Sequence, residues 1–132
     1  MSEENLAKAR AIAQAFDERD EAAWLALCDR DVEFLDKLSL NPNVYRGRDA
    51  ASAWFRGWEK VWEDINVPMA EIIRDEDDVV IWRSSARARG KMSGAEVAQD
   101  FWTFGRLREN LFVRIEVHRS EADALEAAGL SE

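Results

Sequence analysis

The sequence predicts an α+β fold in which helices lie on one face of a strongly bent, mostly antiparallel sheet. Three observations carry this. The N-terminal half holds three stretches with apolar residues at helical spacing. The C-terminal half holds runs that alternate with the period of a strand. Two long apolar-rich runs, Glu96 to Arg108 and Leu111 to His118, are separated only by Glu109-Asn110. Asn takes the positive φ that a two-residue turn requires, so this pair joins the runs into a hairpin. In the second run Val113, Ile115 and Val117 alternate with Arg114, Glu116 and His118. In the first run Trp102 and Phe104 share one face, and Phe101 and Thr103 share the other. Aromatics on both faces suit a central strand covered on both sides.

The elements follow in order. Ser2, with Glu3 and Glu4 behind it, opens the first helix, because a serine caps free amides and acids suit the N-terminal dipole. Leu6, Ala9, Ile12, Ala13 and Phe16 form its buried stripe. Asp20 caps a short second helix bearing Trp24, Leu25 and Leu27. Asp31 to Asp36 is the first strand, with Val32 and Phe34 on one face and Glu33 and Leu35 on the other. Asn41-Pro42-Asn43 is loop chemistry. Gly47-Arg48-Asp49 starts a third helix, whose face carries Trp54, Phe55, Trp58, Val61 and Trp62. Ile65 to Arg74 is a strand that Pro68 assigns to an edge. Asp75 to Asp78 is an acidic turn. Val79 to Arg89 is a long strand, with Val80, Trp82, Ser84, Ala86 and Ala88 opposite Arg83, Ser85, Arg87 and Arg89. Gly90 and Ser93-Gly94 turn the chain into the hairpin. Ser120 caps a last helix, Glu121 to Ala128, which Gly129 stops.

A chain of 132 residues fits a single domain over residues 1–132 with a real core. Hydrophobic residues at 47% and charged residues at 34% are a globular balance. No apolar run approaches the ~20 residues that span a bilayer, so no membrane partner is expected. The acidic N-terminus does not resemble a signal peptide. The single Cys28 forms no internal disulfide and sits in an apolar run as a small core residue, so a cytoplasmic protein is expected. A net charge of −9 argues against nucleic acid. Basic residues gather locally, with seven Lys/Arg against three acids in residues 83–114. That suits an outer sheet face paired with acidic helices or a second subunit, or an anion-binding surface. No metal-ligand cluster, phosphate loop or serine-nucleophile motif appears, so no cofactor is expected.

Several short stretches follow one another in a familiar order after the paired helices. They are Cys28-Asp-Arg-Asp31 before the first strand, Tyr45-Arg-Gly-Arg48 at the third helix, Asp77-Asp-Val-Val80, Gly90-Lys-Met-Ser-Gly94, Arg108 to His118, and Ala124 to Leu130. In this the chain resembles the SnoaL-like branch of the nuclear transport factor 2-like superfamily. The resemblance implies a conical barrel, with the sheet curled around the first and third helices and a cavity at its wide end. It also implies a sheet-to-sheet homodimer. The relatives include ketosteroid isomerases, polyketide cyclases, limonene epoxide hydrolases, dehydratases and non-enzymatic binders, so fold alone does not fix function.

Carried over residue by residue, the resemblance puts Asp36 near the general-base position of the isomerases. Asp100 is the helper acid by the same likeness, two residues before the place of the isomerases' second acid, which is Trp102 here. The isomerases' first-helix tyrosine has no counterpart, and Val117 stands where epoxide hydrolases have an aspartate. His118, the only histidine, is expected on the surface or at a dimer face. The expected cavity lining is aromatic: Trp24, Phe34, Tyr45, Trp54, Trp58, Trp82, Trp102 and Phe104. Such a lining suits a small hydrophobic or aromatic ligand. Phe101, Thr103, Gly105, Phe112 and His118 are then left for the convex face, where they would form a dimer patch. Three functions follow: a small-molecule binder, an isomerase-, cyclase- or dehydratase-type enzyme using Asp36, or an assembly domain with a filled core.

Overall fold

The computed structural model describes residues 3–39 and 43–131. The expected Ser2 cap and the Asn41-Pro42 part of the expected loop lie outside the described residues. The elements run α1 (Glu3–Asp17), α2 (Glu21–Ala26), β1 (Cys28–Asp36), β2 (Asn43–Arg46), α3 (Gly47–Val61), β3 (Trp62–Asn66), β4 (Met69–Glu76), β5 (Val79–Gly90), β6 (Glu96–Arg108), β7 (Leu111–His118) and α4 (Glu121–Ala127). The strands form one curled sheet in the order β2-β1-β7-β6-β5-β3, with β4 also paired to β5. All pairings are antiparallel except β1 with β7. The fold is α+β, the sheet wrapped around the N-terminal helices.

Local chemistry explains the element ends. The Asp20 carboxylate accepts the Ala23 amide at 3.1 Å, and the Ser120 hydroxyl accepts the Asp123 amide at 3.1 Å. Gly129 has φ +76°, which lets the Leu130 amide reach back to the Leu125 carbonyl at 2.9 Å. Glu109 and Asn110 both have positive φ, 53° and 68°, so the hairpin turns in two residues with the hand that matches strand twist.

Three features of the sheet depart from expectation. The stretch read as one strand from Ile65 to Arg74 is two, β3 and β4, broken at Val67-Pro68. Pro68 has no N–H to give a ladder, and the Val67 amide goes to the Asp17 carboxylate at 2.5 Å instead. β2 was not expected. It is short and only half apolar, and it exists because β1 offers it a partner from Glu33↔Arg46 to Asp36↔Asn43. The helices are not all on one face: α4 packs on the outer side of the sheet, where Ala124 and Leu125 bury Val79, Ile81 and Phe104.

That last packing inverts the expected facing of β6. On β5 the side chains of Val80, Trp82 and Ser84 point into the main core. Their antiparallel partners Gly105, Thr103 and Phe101 therefore share that inner face. Trp102 and Phe104 point outward, toward α4. Phe112 is also inside, because a register shift between Arg106 and Leu107 moves it to the core side. The residues expected to form an exposed dimer patch are thus interior: Phe101, Thr103, Gly105 and Phe112 are all buried.

Gly105 is the close approach that lets this core shut. A Cβ there would stand 2.5 Å from the Phe112 ring and 3.4 Å from Trp82. Phe112 is fully buried and has nowhere to retreat. Gly105→Ala should therefore destabilise the protein by about 1–3 kcal/mol through overpacking, seen as a fall of several degrees in thermal unfolding. An unchanged Tm would show that the ring can move aside.

Candidate functional site

The wide end of the barrel opens between the end of β1, the face of α3 and the far halves of β5 and β6. A pocket of about 840 Å³ lies there, with Asp36, Tyr45, Trp54, Trp58, Trp62 and Phe101 in its walls. Deeper in the barrel is a void of about 40 Å³, bordered by Phe16, Trp24, Phe34, Trp82, Ser84 and Thr103 among others. Trp54 and Phe101 border both spaces and form the partition between them.

Asp36 reaches the mouth pocket because β1 alternates. Val32 and Phe34 are buried on its inner face, and Asp36 is two residues further along. Its carboxylate is held on both sides. The Leu38 amide donates to Oδ1 at 2.8 Å, and the Trp54 indole Nε1 donates to Oδ2 at 2.8 Å. Trp54 is in turn packed by Phe16, Trp24, Phe34 and Trp58, with ring centroids 5.4, 5.9, 4.1 and 6.0 Å away. The aromatic wall therefore fixes the carboxylate.

The expected site residues divide into three groups. Asp36, Tyr45, Trp54 and Trp58 line the mouth pocket. Trp24, Phe34 and Trp82 line the inner void, with Trp54 common to both. Trp102, Phe104 and Asp100 belong to neither space. Phe104 is 1% exposed beneath α4, with Trp102 packed beside it. Asp100 is directed outward, where its carboxylate accepts from Ser85 Oγ at 2.9 Å and pairs with Arg83 at 3.3 Å. It shares a face with Trp102, and that face is the outer one. Trp62 and Phe101 are pocket residues too, although their spacing suggests the face of the third helix and the convex face of the sheet. The inward partners of Trp82 and Ser84 are the signal that locates Phe101.

Residues 9–115 match the family model of the SnoaL-like domain. The chain belongs to the SnoaL-like family. No curated protein matches it by sequence. Among solved structures it is similar to an NTF2-like protein of unknown function from Burkholderia pseudomallei, with TM-score 0.79, 20% identity, and coverage of 96% of this chain and 97% of that one. It is also similar to a hypothetical protein with a ketosteroid isomerase-like fold from Catenulispora acidiphila, solved in complex with trimethylamine. There the TM-score is 0.75 and the identity 20%, over 99% of this chain and 96% of that one. TerC, co-crystallised with polyporic acid, has TM-score 0.76 and 19% identity, over 93% and 96% of the two chains. At such identities the likeness is one of fold.

The mouth of this SnoaL-like chain also has Ser39, Arg87 and Gln99 in its walls, whereas Cys28 borders neither space. Burial pushes the Cys28 thiol up to about 12, so it is no nucleophile near neutral pH. Among the described residues, no group of three or more His, Cys, Asp or Glu is placed to hold a metal ion, and no helix is long and apolar enough to cross a membrane.

His118, expected on the surface or at a dimer face, is buried within the single chain. It is 5% exposed, and its Nε2 meets Glu116 Oε1 at 2.8 Å, with Glu116 6% exposed. Arg114 Nε donates to the other Glu116 oxygen at 2.8 Å, and Arg114 Nη1 donates to Glu33 at 2.9 Å. Burial works against the Glu116 charge, but the bonds from His118 and Arg114 outweigh it and hold this carboxyl below its usual value of 4.5. A depressed folded-state pKa contributes stability above the unfolded value, and that stability is lost as pH falls through the folded value. Below pH 4.5 the Tm of the native protein should therefore fall more steeply than that of Glu116→Gln, by several degrees. Parallel curves in a series of melts at decreasing pH would remove Glu116 as the cause.

Proposed function

We propose that this SnoaL-like chain binds a small, flat, hydrophobic or aromatic molecule in the mouth pocket, without a cofactor. The observation that carries this is an open space of about 840 Å³ walled by Tyr45, Trp54, Trp58, Trp62 and Phe101, with Asp36 as a polar anchor. That size lies within the roughly 300–1,000 Å³ of small-molecule sites, which combine apolar walls with few polar groups. The complexes of TerC with polyporic acid and of the Catenulispora protein with trimethylamine give small-molecule binding a precedent in this fold. The lone, buried, unpaired Cys28 favours a reducing compartment, which supports the cytoplasm as its place.

A second reading makes the chain an isomerase-, cyclase- or dehydratase-type enzyme with Asp36 as general base. Its support is the placement of Asp36, a carboxylate immobilised in a ligand-sized pocket. Each of its oxygens has a further lone pair with which to take a substrate proton. Asp100 gives this reading no help, since it is ion-paired on the outer face. A filled assembly core fits the inner void but not the open mouth.

Two measurements separate these readings. Flat aromatic compounds should raise the Tm by several degrees in a thermal-shift screen, because a ligand of the native state stabilises it by mass action. If no such compound moves the Tm, the mouth is not a ligand site. For any compound found to bind, Asp36→Asn should change affinity only modestly. With a compound that is turned over, the same substitution should cost roughly a hundredfold to ten-thousandfold in rate while affinity stays near its original value.

A homodimer through the sheet is proposed on separate grounds. With Phe101 and Phe112 inside, it would use the outer strand face of Arg83, Ser85, Asp100 and Trp102, whose mixed charges can complement a second copy. Sedimentation should then give a dimer at tens of micromolar, on the order of typical dissociation constants. The dimer should weaken as salt rises, and a monomer throughout would refute it.

A further inference from the structure

The closed end of the barrel carries two polar side chains with no hydrogen-bond partner among the described residues. Ser84 on β5 is 3% exposed and Thr103 on β6 is 5% exposed, and both border the inner void. In the register Ser84 pairs with Phe101 and Thr103 with Trp82, so the two hydroxyl residues are diagonal neighbours on the inner face. Such neighbours stand roughly 7–8 Å apart, close enough for one small group to lie between them. Neither hydroxyl hydrogen-bonds to another described residue. The sealed polar atoms without partners among the described residues are on Arg19, Asp75 and Trp102. The Ser84 and Thr103 oxygens are not sealed, because they open on the void.

A buried hydroxyl left without a hydrogen bond is costly, and native interiors rarely keep one. Two of them face a single space whose other walls are aliphatic or aromatic. The void, about 40 Å³, has room for roughly one water-sized group and not for a ring. It lies directly behind Trp54 and Phe101, which are also walls of the mouth pocket. A flat molecule in the mouth, inserted edge-on between these two rings, would put its leading atom into the void.

We propose that Ser84 and Thr103 form a deep anchor for one neutral oxygen atom, a ketone carbonyl or a phenolic hydroxyl, on the leading edge of an aromatic ligand. This rests on the mouth pocket being a ligand site, and it names the ligand class as aromatic ketones and phenols. A carbonyl accepts from both hydroxyls, and a phenol donates to one and accepts from the other. A carboxylate is disfavoured, because no cationic side chain borders the void and a buried charge needs one.

The test is a comparison of naphthalene, naphthol and naphthoate by quenching of the tryptophan fluorescence. Naphthol should bind about tenfold more tightly than naphthalene, the scale of one net hydrogen bond. Naphthoate, whose charge can meet Arg87 only in the mouth, should gain nothing from the anchor and bind the native protein and the Ser84→Ala/Thr103→Val double variant equally. In that double variant the affinities for naphthol and naphthalene should converge. Equal affinities in the native protein would overturn the anchor while leaving the mouth pocket a ligand site. No binding of any of the three would overturn both. A ligand-free measurement guards the result. Thr103→Val alone should keep or raise the Tm, since it removes a hydroxyl with no partner among the described residues. A fall of several degrees would show that the hydroxyl is already satisfied within the folded protein, and would overturn the anchor.

Discussion

The indole of Trp54 stands where α1, α2, α3 and β1 meet, and it makes two kinds of contact at once. Its ring is packed among Phe16, Trp24, Phe34 and Trp58. Its N–H is spent on the Asp36 carboxylate at the end of β1. Aromatic packing of this kind is strong but tolerant of sliding, whereas a hydrogen bond from an indole sets one orientation. Together they fix how α3 lies across the sheet and where the barrel stops being filled. On one side of Trp54 the core is nearly closed, and on the other it is open to solvent.

The closed side depends on a second constraint. Phe112 and Trp82 meet over Gly105, with centroids of the two rings 6.2 Å apart. Only a residue without a Cβ leaves room there. The register shift in the β6–β7 hairpin, with Val113 as the extra residue on β7, brings Phe112 to that spot, while β6 keeps its alternation with Phe101, Thr103, Gly105 and Leu107 inward. Cavity shape is thus decided by one glycine and one irregularity, both far from the mouth.

The outer face is organised by charge rather than by apolar packing, except under α4. Arg114 links Glu33 to Glu116, Glu116 holds His118, and Arg46 adds a bond to Glu33. This chain of pairs ties β2, β1 and β7 together across the sheet. It accounts for part of the local excess of basic residues, and Arg83 with Asp100 and Glu71 accounts for more. Charges that looked available for an anion are largely matched within the fold. The same matching explains why Asp100 does not serve the pocket: a nearby guanidinium on the outer face is a better environment for its charge than an apolar interior.

Much of this was legible in the order of the residues. The helices, their Asp20 and Ser120 caps, the Gly129 stop and the Glu109-Asn110 turn follow from backbone chemistry that acts over a few residues. Asp36 was singled out by the family resemblance, at the end of the first strand. What only the tertiary structure decided was the facing of β6. A strand repeats every two residues, so the sequence defines two faces, but Phe101 and Thr103 on one and Trp102 and Phe104 on the other leave both fit for burial. The choice rests on β5, whose Trp82 and Ser84 face the core, and on α4, which covers the other side. β2 likewise exists only as the partner of β1, and Phe112 turns inward only through a shift in pairing. Local chemistry acts along the chain, while facing and register depend on partners that the chain meets only when it folds.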